Sequence, residues 1–323
     1  MIVRRPLGRA LALAAVLASA QVAAQDYPAK PVRIIVPFVP GGSSDLLARY
    51  LAQGLSEKLG QQFVVENRAG AAGNVGMDAV AKAAPDGYTL GYATSGPLAN
   101  NKHLYKGMPF DPEKAFTPIV LVGEIPLVLV ANPPLPARNL KELVEYARAN
   151  PGKVSVAHPG NGSIGHLAIE ALKMATGTNM VGVPYKGDVP VMTDTIAGVV
   201  QVGSAPVTAM IPNIKAGKIR ALALTSKERL PELPDVATAN QQGIDLEATV
   251  WSGVVAPAGL ARPIVDKLNI EINRLLDAPA GRAQLARYAT LLAGGAPERM
   301  GQLMASDSAK WKRVIETAKI TVD

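Results

Sequence analysis

The chain contains no cysteine. This absence excludes a disulfide framework, a thiol nucleophile and the lipid attachment site of a lipoprotein. A protein of this size can fold without disulfides, because a chain of about 300 residues buries roughly three quarters of the surface that its unfolded form exposes. The length of 323 residues also favours two domains over one.

Three further kinds of sequence feature are missing. Beyond the first 24 residues, no segment reaches about 18 uninterrupted apolar residues, so no membrane-spanning helix is expected there. No basic run is interleaved with aromatic residues, as would be typical of a nucleic-acid-binding surface. The sequence has neither G-x-G-x-x-G nor a glycine-rich loop followed by lysine, so a nucleotide is not the expected ligand.

The first 24 residues have the three parts of a secretory signal peptide. Arg4, Arg5 and Arg9 form a basic region, residues 10–20 form a short apolar core, and Val22-Ala23-Ala24 offers the small residues that a signal peptidase reads. We therefore predict export with cleavage after residue 24; a retained membrane anchor is the alternative. Loss of the three arginines lowers the formal charge from +7 to +4, which predicts a mildly basic surface.

From residue 32 onward, strand-like and helix-like segments alternate almost to the end of the chain. This pattern is typical of α/β layers around a mainly parallel sheet. The predicted strands are 32–36, 62–66, 89–93, 127–131, 154–157, 181–183, 199–203, 221–224 and 250–256. Helices are predicted over 46–55, 74–84, 140–150, 264–276 and 297–318, and after Ser163 and Pro190.

The most informative segment is Pro37-Phe38-Val39-Pro40-Gly41-Gly42-Ser43-Ser44-Asp45. It follows an apolar strand and leads into a helix, so a glycine turn places a helix N-terminus at the end of a strand. Unpaired backbone N–H groups and the helix dipole favour an anion at such a position. Because no lysine follows the glycines, a carboxylate is the expected anion rather than a nucleotide phosphate.

A second strand, glycine turn and helix occurs at Gly160-Asn161-Gly162-Ser163-Ile164-Gly165-His166. Ser163 is suited to cap the helix that follows, and a single serine cap is usually structural. Its pairing with the first unit favours a functional interpretation. Two glycine-flanked helix starts in separate halves of the chain can hold one anion from opposite walls of a cleft.

The same segment leaves an exported serine hydrolase as an alternative function. The run from 161 to 165 comes close to the nucleophile elbow G-x-S-x-G, but Asn161 replaces its first glycine. A catalytic histidine would be expected later in the chain, and no histidine follows His166. His158 and His166 also lack the i, i+4 spacing of a helical zinc pair, so we predict no metal site and interpret His166 as a helix-start residue bonded to backbone.

Other candidate pocket residues follow strands. Tyr185, Lys186 and Asp188 lie between a strand and a helix, while Ser95 and Ser204 end strands in the two halves. Ligands of open α/β sheets bind beyond the carboxyl ends of strands, so side chains at these positions are expected to contact a ligand. The alternative is that all five lie in ordinary turns, with Lys186 and Asp188 forming a solvated pair.

Together these motifs resemble the substrate-binding proteins of tripartite tricarboxylate transporters, the Bug family of periplasmic receptors. The resemblance runs in order through the whole chain after the signal peptide. The matching segments are Tyr27-Pro28-x-Lys30-Pro31, Pro37-Phe38-x-Pro40-Gly41-Gly42-x-x-Asp45, Val65-Glu66-Asn67-Arg68-x-Gly70, Ala84-Pro85-Asp86-Gly87-Tyr88-Thr89-Leu90, Gly160-x-Gly162-Ser163-x-x-His166-Leu167, Pro184-Tyr185-Lys186-Gly187, Ile214-Lys215-Ala216-Gly217-Lys218-Ile219-Arg220-Ala221-Leu222-Ala223 and Trp251-x-Gly253-x-x-Ala256-Pro257-Ala258-Gly259.

This resemblance implies a type II periplasmic-binding-protein fold, in which two α/β domains are hinged by crossing strands around a central cleft. Domain one would comprise residues 26–126 and 250–323, and domain two residues 127–249, with crossings near Leu127 and Val250. The implied function is a monomeric periplasmic receptor, not an enzyme, that needs no cofactor. It would deliver a dicarboxylate, an amino acid or an aromatic carboxylate to a tripartite-type membrane transporter, or signal to a sensor kinase.

In the family, loops matching 37–45 and 160–166 hold a ligand carboxylate through backbone groups and two ordered waters. The resulting set of candidate ligand-binding residues is Phe38, Pro40, Gly41, Gly42, Ser43, Asp45, Ser95, Asn161, Gly162, Ser163, His166, Tyr185, Lys186, Asp188 and Ser204. Asp188 departs from the small residue that the resemblance leads us to expect. It could pair with Lys186, favour a ligand that carries a donor or a positive charge, or disfavour a second carboxylate.

Overall fold

The computed structural model describes residues 27–322, so the predicted signal peptide and its cleavage site lie outside the described residues. The strands are β1 (Val32–Val36), β2 (Phe63–Asn67), β3 (Thr89–Thr94), β4 (Phe116–Ala131), β5 (Ser155–His158), β6 (Val181–Pro184), β7 (Val202–Pro206), β8 (Arg220–Leu224), β9 (Thr249–Pro257) and β10 (Leu291–Leu292). The α-helices are α1 (Ser43–Leu59), α2 (Asn74–Ala81), α3 (Asn101–Leu104), α4 (Pro112–Ala115), α5 (Leu140–Ala149), α6 (Ile164–Thr176), α7 (Asp188–Ala197), α8 (Val207–Lys215), α9 (Arg262–Asp277), α10 (Pro279–Arg287) and α11 (Pro297–Ala318). Within these residues no helix combines the length and apolar character needed to cross a membrane.

All ten strands belong to one continuous sheet, in the order β2-β1-β3-β9-β4-β7-β5-β6, with β8 and β10 also paired to β4. The outer strands of each half are parallel: β1 pairs with β2 and β3, and β5 pairs with β6 and β7. The middle is antiparallel, because β9 runs against both β3 and β4, and β4 runs against β7 and β8. The expectation of a mainly parallel sheet is therefore correct for each half and wrong for the strands that join the halves.

The long strand β4 belongs to both halves of the sheet. Its first part, up to Pro126, pairs with β9, and its second part, from Leu127, pairs with β7 and β8. The strand changes partners at the crossing expected near Leu127. Only residues 127–131 were predicted as strand, because Pro118 and Pro126 interrupt the earlier apolar run and proline is unfavourable inside a sheet. The register of β4 against β9 shifts between Pro118 and Val120, which accommodates one of these prolines.

Helices cover both faces of each half. In the first half, α1 and α9 bury Leu51 and Leu268 on one face, while α2 and α11 bury Met77 and Met300 with Trp251 on the other. In the second half, one apolar cluster joins α5 and α6 to the sheet, and a second cluster joins α7 and α8. These layers confirm the α/β architecture. Helices α8 and α10 were not predicted, because Pro212 interrupts the first and the second is rich in alanine and arginine.

The C-terminal helix α11 contacts both halves. A separate apolar cluster packs Trp311 and Ile315 of α11 against Ile164 and Leu167 of α6, together with Leu104. Since α6 lies in the second half of the sheet, α11 provides a contact between the halves in addition to the shared strands.

Candidate functional site

Parallel pairing brings the loops of each half to a common edge. In the first half, Val36 pairs with Asn67 and Ile35 with Gly91, so the segments that follow β1, β2 and β3 lie side by side. In the second half, His158 pairs with Pro184 and Ala157 with Gly203, which aligns the segments after β5, β6 and β7. The sequence-predicted site residues lie on these two edges, at the carboxyl ends of the strands, except Ser204, which lies inside β7.

We call residues 37–42 the first loop. A buried carboxylate holds it: Asp45 Oδ2 accepts from Gly41 N and Arg49 Nε at 2.9 and 3.0 Å, and Asp45 Oδ1 accepts from Asn67 Nδ2 at 2.9 Å. Asn67 also donates to Phe38 O at 3.1 Å. Burial alone would raise the pKa of Asp45, but hydrogen bonds from Arg49, Gly41 and Asn67 together lower it. This arrangement positions the loop backbone, whereas a direct ligand contact for Asp45 stays a prediction.

The first loop ends at a helix N-terminus that lacks a side-chain cap. Gly42 is the N-cap of α1, with extended backbone angles and no side chain to accept a hydrogen bond, and the first helical bond runs from Leu46 N to Gly42 O at 3.0 Å. The N–H groups of Ser43 and Ser44 precede that bond and have no helical acceptor. A Cβ atom placed on Gly42 would meet no heavy atom within 4 Å. The backbone donors of this turn therefore border open space.

Phe38 and Pro40 flank these donors. Phe38 is partly buried against the core of the first half, and Pro40 is exposed. Two residues that sequence analysis did not assign to the site, Arg49 and Asn67, complete the network around Asp45. The i, i+4 spacing of Asp45 and Arg49 was a readable signal for their ion pair. No sequence signal connected either residue to Asn67.

We call residues 159–163 the second loop. Ser163 caps α6, since its Oγ accepts from His166 N at 3.2 Å. The ring of His166 in turn accepts from Gly162 N at 3.1 Å through Nδ1, which confirms the interpretation of His166 as a helix-start residue bonded to backbone. Asn161 is exposed at the tip of this loop. A Cβ atom on Gly162 would lie 3.0 Å from Leu104 Cδ1, so the second loop lies close to the first half of the protein.

Two stacked histidine rings form hydrogen bonds with the backbone of the second loop. The rings of His158 and His166 are nearly parallel, at 7°, with centroids 4.3 Å apart, and His158 Nδ1 lies 3.1 Å from Gly160 O. Burial, followed by the neighbouring His166, lowers the pKa of His158 to about 4, and burial also lowers the pKa of His166. Both rings are therefore neutral near pH 7 and act as hydrogen-bonding supports of the loop.

Ser95 directly follows β3 and Ser204 lies in the middle of β7, so the expectation that Ser204 ends a strand was wrong; both side chains are buried. Ser204 Oγ donates to Gly165 O at 3.2 Å, and a Cβ atom on Gly165 would lie 2.6 Å from Ser204 O. The hydroxyl of Ser204 thus links the first turn of α6 to β7 by a hydrogen bond. Ser95 Oγ has no hydrogen-bond partner among residues 27–322. Contact of either serine with a ligand stays a prediction.

The segment after β6 lies against the second loop. Tyr185 N donates to His158 O at 2.9 Å, and Gly187 N donates to Pro159 O at 3.1 Å. The hydroxyl of Tyr185 donates to Asp194 Oδ2 at 2.7 Å. Lys186 is exposed, and the ion pair with Asp188 that was the alternative interpretation does not form in the part of the chain that the structure describes. Asp188 is half-buried at the first position of α7, where burial raises its pKa.

The arrangement offers backbone donors at two helix starts rather than a catalytic centre. In the described chain, no group of three or more histidine, aspartate or glutamate residues is placed to hold a metal ion. The hydroxyl of Ser163 is bonded to a backbone N–H, and the nearest histidine ring uses its Nδ1 for Gly162. A serine nucleophile with a histidine base is therefore not assembled there.

Comparison with known proteins agrees with this geometry. Residues 47–320 match the model of the tripartite tricarboxylate transporter family receptor. The chain is 38% identical to BugT of Bordetella pertussis over 92% of this chain and 92% of BugT. An R. palustris protein solved with adipate is 36% identical with a TM-score of 0.77, and the periplasmic binding protein BugD is 34% identical with a TM-score of 0.73; each match covers 92% of this chain and 100% of the other.

These likenesses confirm the predicted two-domain periplasmic-binding-protein fold and a solute receptor, not an enzyme, as its functional class. The chain belongs to the family of tripartite tricarboxylate transporter receptors, which includes the Bug proteins.

Proposed function

We propose that this receptor captures a small carboxylate between the first and second loops. The observation that carries the proposal is the uncapped N-terminus of α1, whose first-turn N–H groups border open space at Gly42. The second loop presents the N-terminus of α6 from the other half of the sheet. Two such ends provide backbone donors and favourable dipoles for one carboxylate.

The side chains that hydrogen-bond to the two loops keep the loop backbone in a fixed position for binding a ligand. Asp45 fixes the first loop, and Ser163 with His166 fixes the second, so little order has to be created when a ligand binds. The R. palustris relative solved with adipate supports a carboxylate as the ligand class. Bridging waters at these backbone groups would allow ligands of different shape to share one carboxylate site.

The proposed domains are residues 26–126 with 250–323, and residues 127–249. The two loops lie on different domains, so a single ligand contacts both only when the cleft closes. Binding then supplies the free energy that favours closure, by rotation about β4 and β9. The closed conformation is the one that a tripartite-type membrane transporter recognises. We infer that the receptor works as a monomer in the periplasm after cleavage near Ala24. N-terminal sequencing of the exported protein tests the cleavage site.

A thermal-shift screen of small carboxylates tests the proposed function. A ligand at a hundredfold excess over its Kd adds about 2.7 kcal/mol to the unfolding free energy, which raises the melting temperature measurably. Mass spectrometry of the incubated ligand should return it unchanged, since the site assembles no nucleophile. A full panel of mono-, di- and tricarboxylates, including amino acids, without any shift would contradict the proposal. Turnover of an ester or amide lost in Ser163→Ala would support a hydrolase instead.

A further inference from the structure

The side chain of Asp188 is a partly buried carboxylate without a protein partner. Within residues 27–322, no hydrogen bond and no ion pair engages it. Its partial burial raises the pKa of the carboxyl group. A sheltered carboxylate normally gains donors or a cation, because withdrawing the charge from water is unfavourable.

The two buried carboxylates within residues 27–322 have such partners. Asp45 accepts from Gly41, Arg49 and Asn67. Asp307 accepts from Trp251 Nε1 at 2.7 Å and lies 2.8 Å from Lys310 Nζ. Asp188 is more exposed than these two, so water or a bound ligand is the partner available to it.

Asp188 lies on the edge of the second half that carries the second loop. It begins α7 directly after the segment 185–187, which is fastened to the second loop by the bond from Gly187 N to Pro159 O at 3.1 Å. The bond from Tyr185 OH to Asp194 joins the same segment to the body of α7. Asp188 is thus held on the same edge of the second half as the proposed carboxylate donors of the second loop.

We propose that Asp188 is a specificity-determining residue that selects ligands carrying an ammonium group in addition to the carboxylate held by the two loops. This inference rests on the proposed function and narrows its ligand class to amino acids. An ammonium group provides hydrogen-bond donors and a full positive charge, in addition to the weaker helix dipole at the N-terminus of α7. A second ligand carboxylate at this place would be repelled. The preference would distinguish this receptor from the R. palustris relative solved with adipate, because adipate has no ammonium group.

The test is calorimetric titration with ligands matched except for the amine. Succinate is compared with aspartate, glutarate with glutamate, adipate with 2-aminoadipate, and butyrate with 2-aminobutyrate and 4-aminobutyrate. The wild-type protein should bind at least one amino-bearing ligand about tenfold to a hundredfold more tightly than its amine-free counterpart, as expected for a hydrogen bond between charged groups. In Asp188→Asn this ratio should fall close to one.

Two controls separate recognition from stability. Asp235→Asn removes the same charge at an exposed position, outside the two loop edges, and should leave the affinity ratio unchanged. The Asp188 carboxylate has no hydrogen-bonded protein partner but lies in the first turn of α7, so Asp188→Asn should lower the melting temperature by at most about 3 °C, the effect of one helix-dipole interaction. A larger drop in melting temperature would show a structural role for Asp188 and contradict the inference.

The outcomes distinguish the two proposals. If carboxylates bind but the amine has no effect on affinity, or if Asp188→Asn keeps the wild-type preference, Asp188 does not select the ligand and the receptor function stands. If no member of the panel binds, the proposed function fails and the inference fails with it. Loss of the preference in Asp188→Asn, with retained binding of the amine-free acids, supports both.

Discussion

Replacing Asp45 by asparagine tests how the first loop is held. The two carboxylate oxygens accept three hydrogen bonds, at 2.9 to 3.0 Å, from Gly41 N, Asn67 Nδ2 and Arg49 Nε, and Arg49 Nη2 lies 3.0 Å from Oδ1 in the ion pair. In Asp45→Asn, the NH₂ group of the asparagine would lie opposite two of these nitrogens in either orientation of the side-chain amide. Those two donors would then lose their acceptor. A hydrogen bond to a charged group contributes about 1.5–3 kcal/mol, but the half-exposed Arg49 can turn to water and loses little. We therefore expect the free energy of unfolding to fall by about 2–3 kcal/mol.

Urea-induced unfolding measures this loss, and the protein offers a matched control. Asp266 pairs with Arg262 at the same i, i+4 spacing on α9, at 2.7 Å, but both side chains are largely exposed. Asp266→Asn should cost at most about 0.5 kcal/mol. Equal effects of the two substitutions would refute the reasoning.

The pH dependence gives a second check on Asp45. Its pKa is lower in the folded protein, so its stabilisation is present above the unfolded pKa of about 3.9 and is lost as the pH falls through the folded value. The difference between wild type and Asp45→Asn should persist at pH 7 and shrink below about pH 4. A difference that stays constant down to pH 2 would contradict the assigned bonds.

Three further predictions concern the second loop and the hinge. Because the pKa of His158 is lowered to about 4 while the unfolded value is about 6.5, its neutral form stabilises the fold above pH 6.5, and this stabilisation is lost as the pH falls toward 4; His158→Phe should flatten this part of the stability profile, and an unchanged profile would contradict the assignment. Ser163→Ala should lower the unfolding free energy by about 1 kcal/mol, because it removes the cap of α6. Ser43→Ala removes no cap, so it should leave the unfolding free energy unchanged and weaken ligand binding by about 1–2 kcal/mol. Equal effects of the two substitutions on stability would count against the contrast between the two helix starts. Small-angle scattering should show a smaller radius of gyration when a confirmed ligand saturates the protein, and an unchanged value would argue against closure about β4 and β9.

The sequence predicted the loops because local rules determine them. An apolar strand, a glycine turn and an amphipathic helix follow one another at β1 and at β5, and each pattern is complete within about twenty residues. The cap at Ser163 and the backbone bond of His166 follow from the same local signals. The parallel outer strands were likewise readable from alternating strand and helix patterns.

Features that depend on distant partners were not predicted. The stacking of His158 on His166 depends on how β5 meets α6, and the partner of Asp45 lies on another strand at Asn67. The first part of β4 was missed because its prolines oppose strand structure locally, although pairing with β9 favours it. The burial of Ser204 against Gly165 O reflects helix–sheet packing that a turn motif does not report.

The central claim is that backbone groups of the first loop hold the ligand, and Gly42→Val tests it most directly. The backbone angles of Gly42, φ −76° and ψ 169°, suit any residue, and a Cβ atom there would meet no protein atom within 4 Å. The substitution should therefore leave the fold intact while its side chain blocks the ligand. Gly107→Val, at another open and exposed glycine, is the control. With the carboxylate that the wild type binds, calorimetry should show at least a tenfold loss of affinity in Gly42→Val, equivalent to about 1.4 kcal/mol, and none in Gly107→Val; wild-type affinity in Gly42→Val would contradict the account.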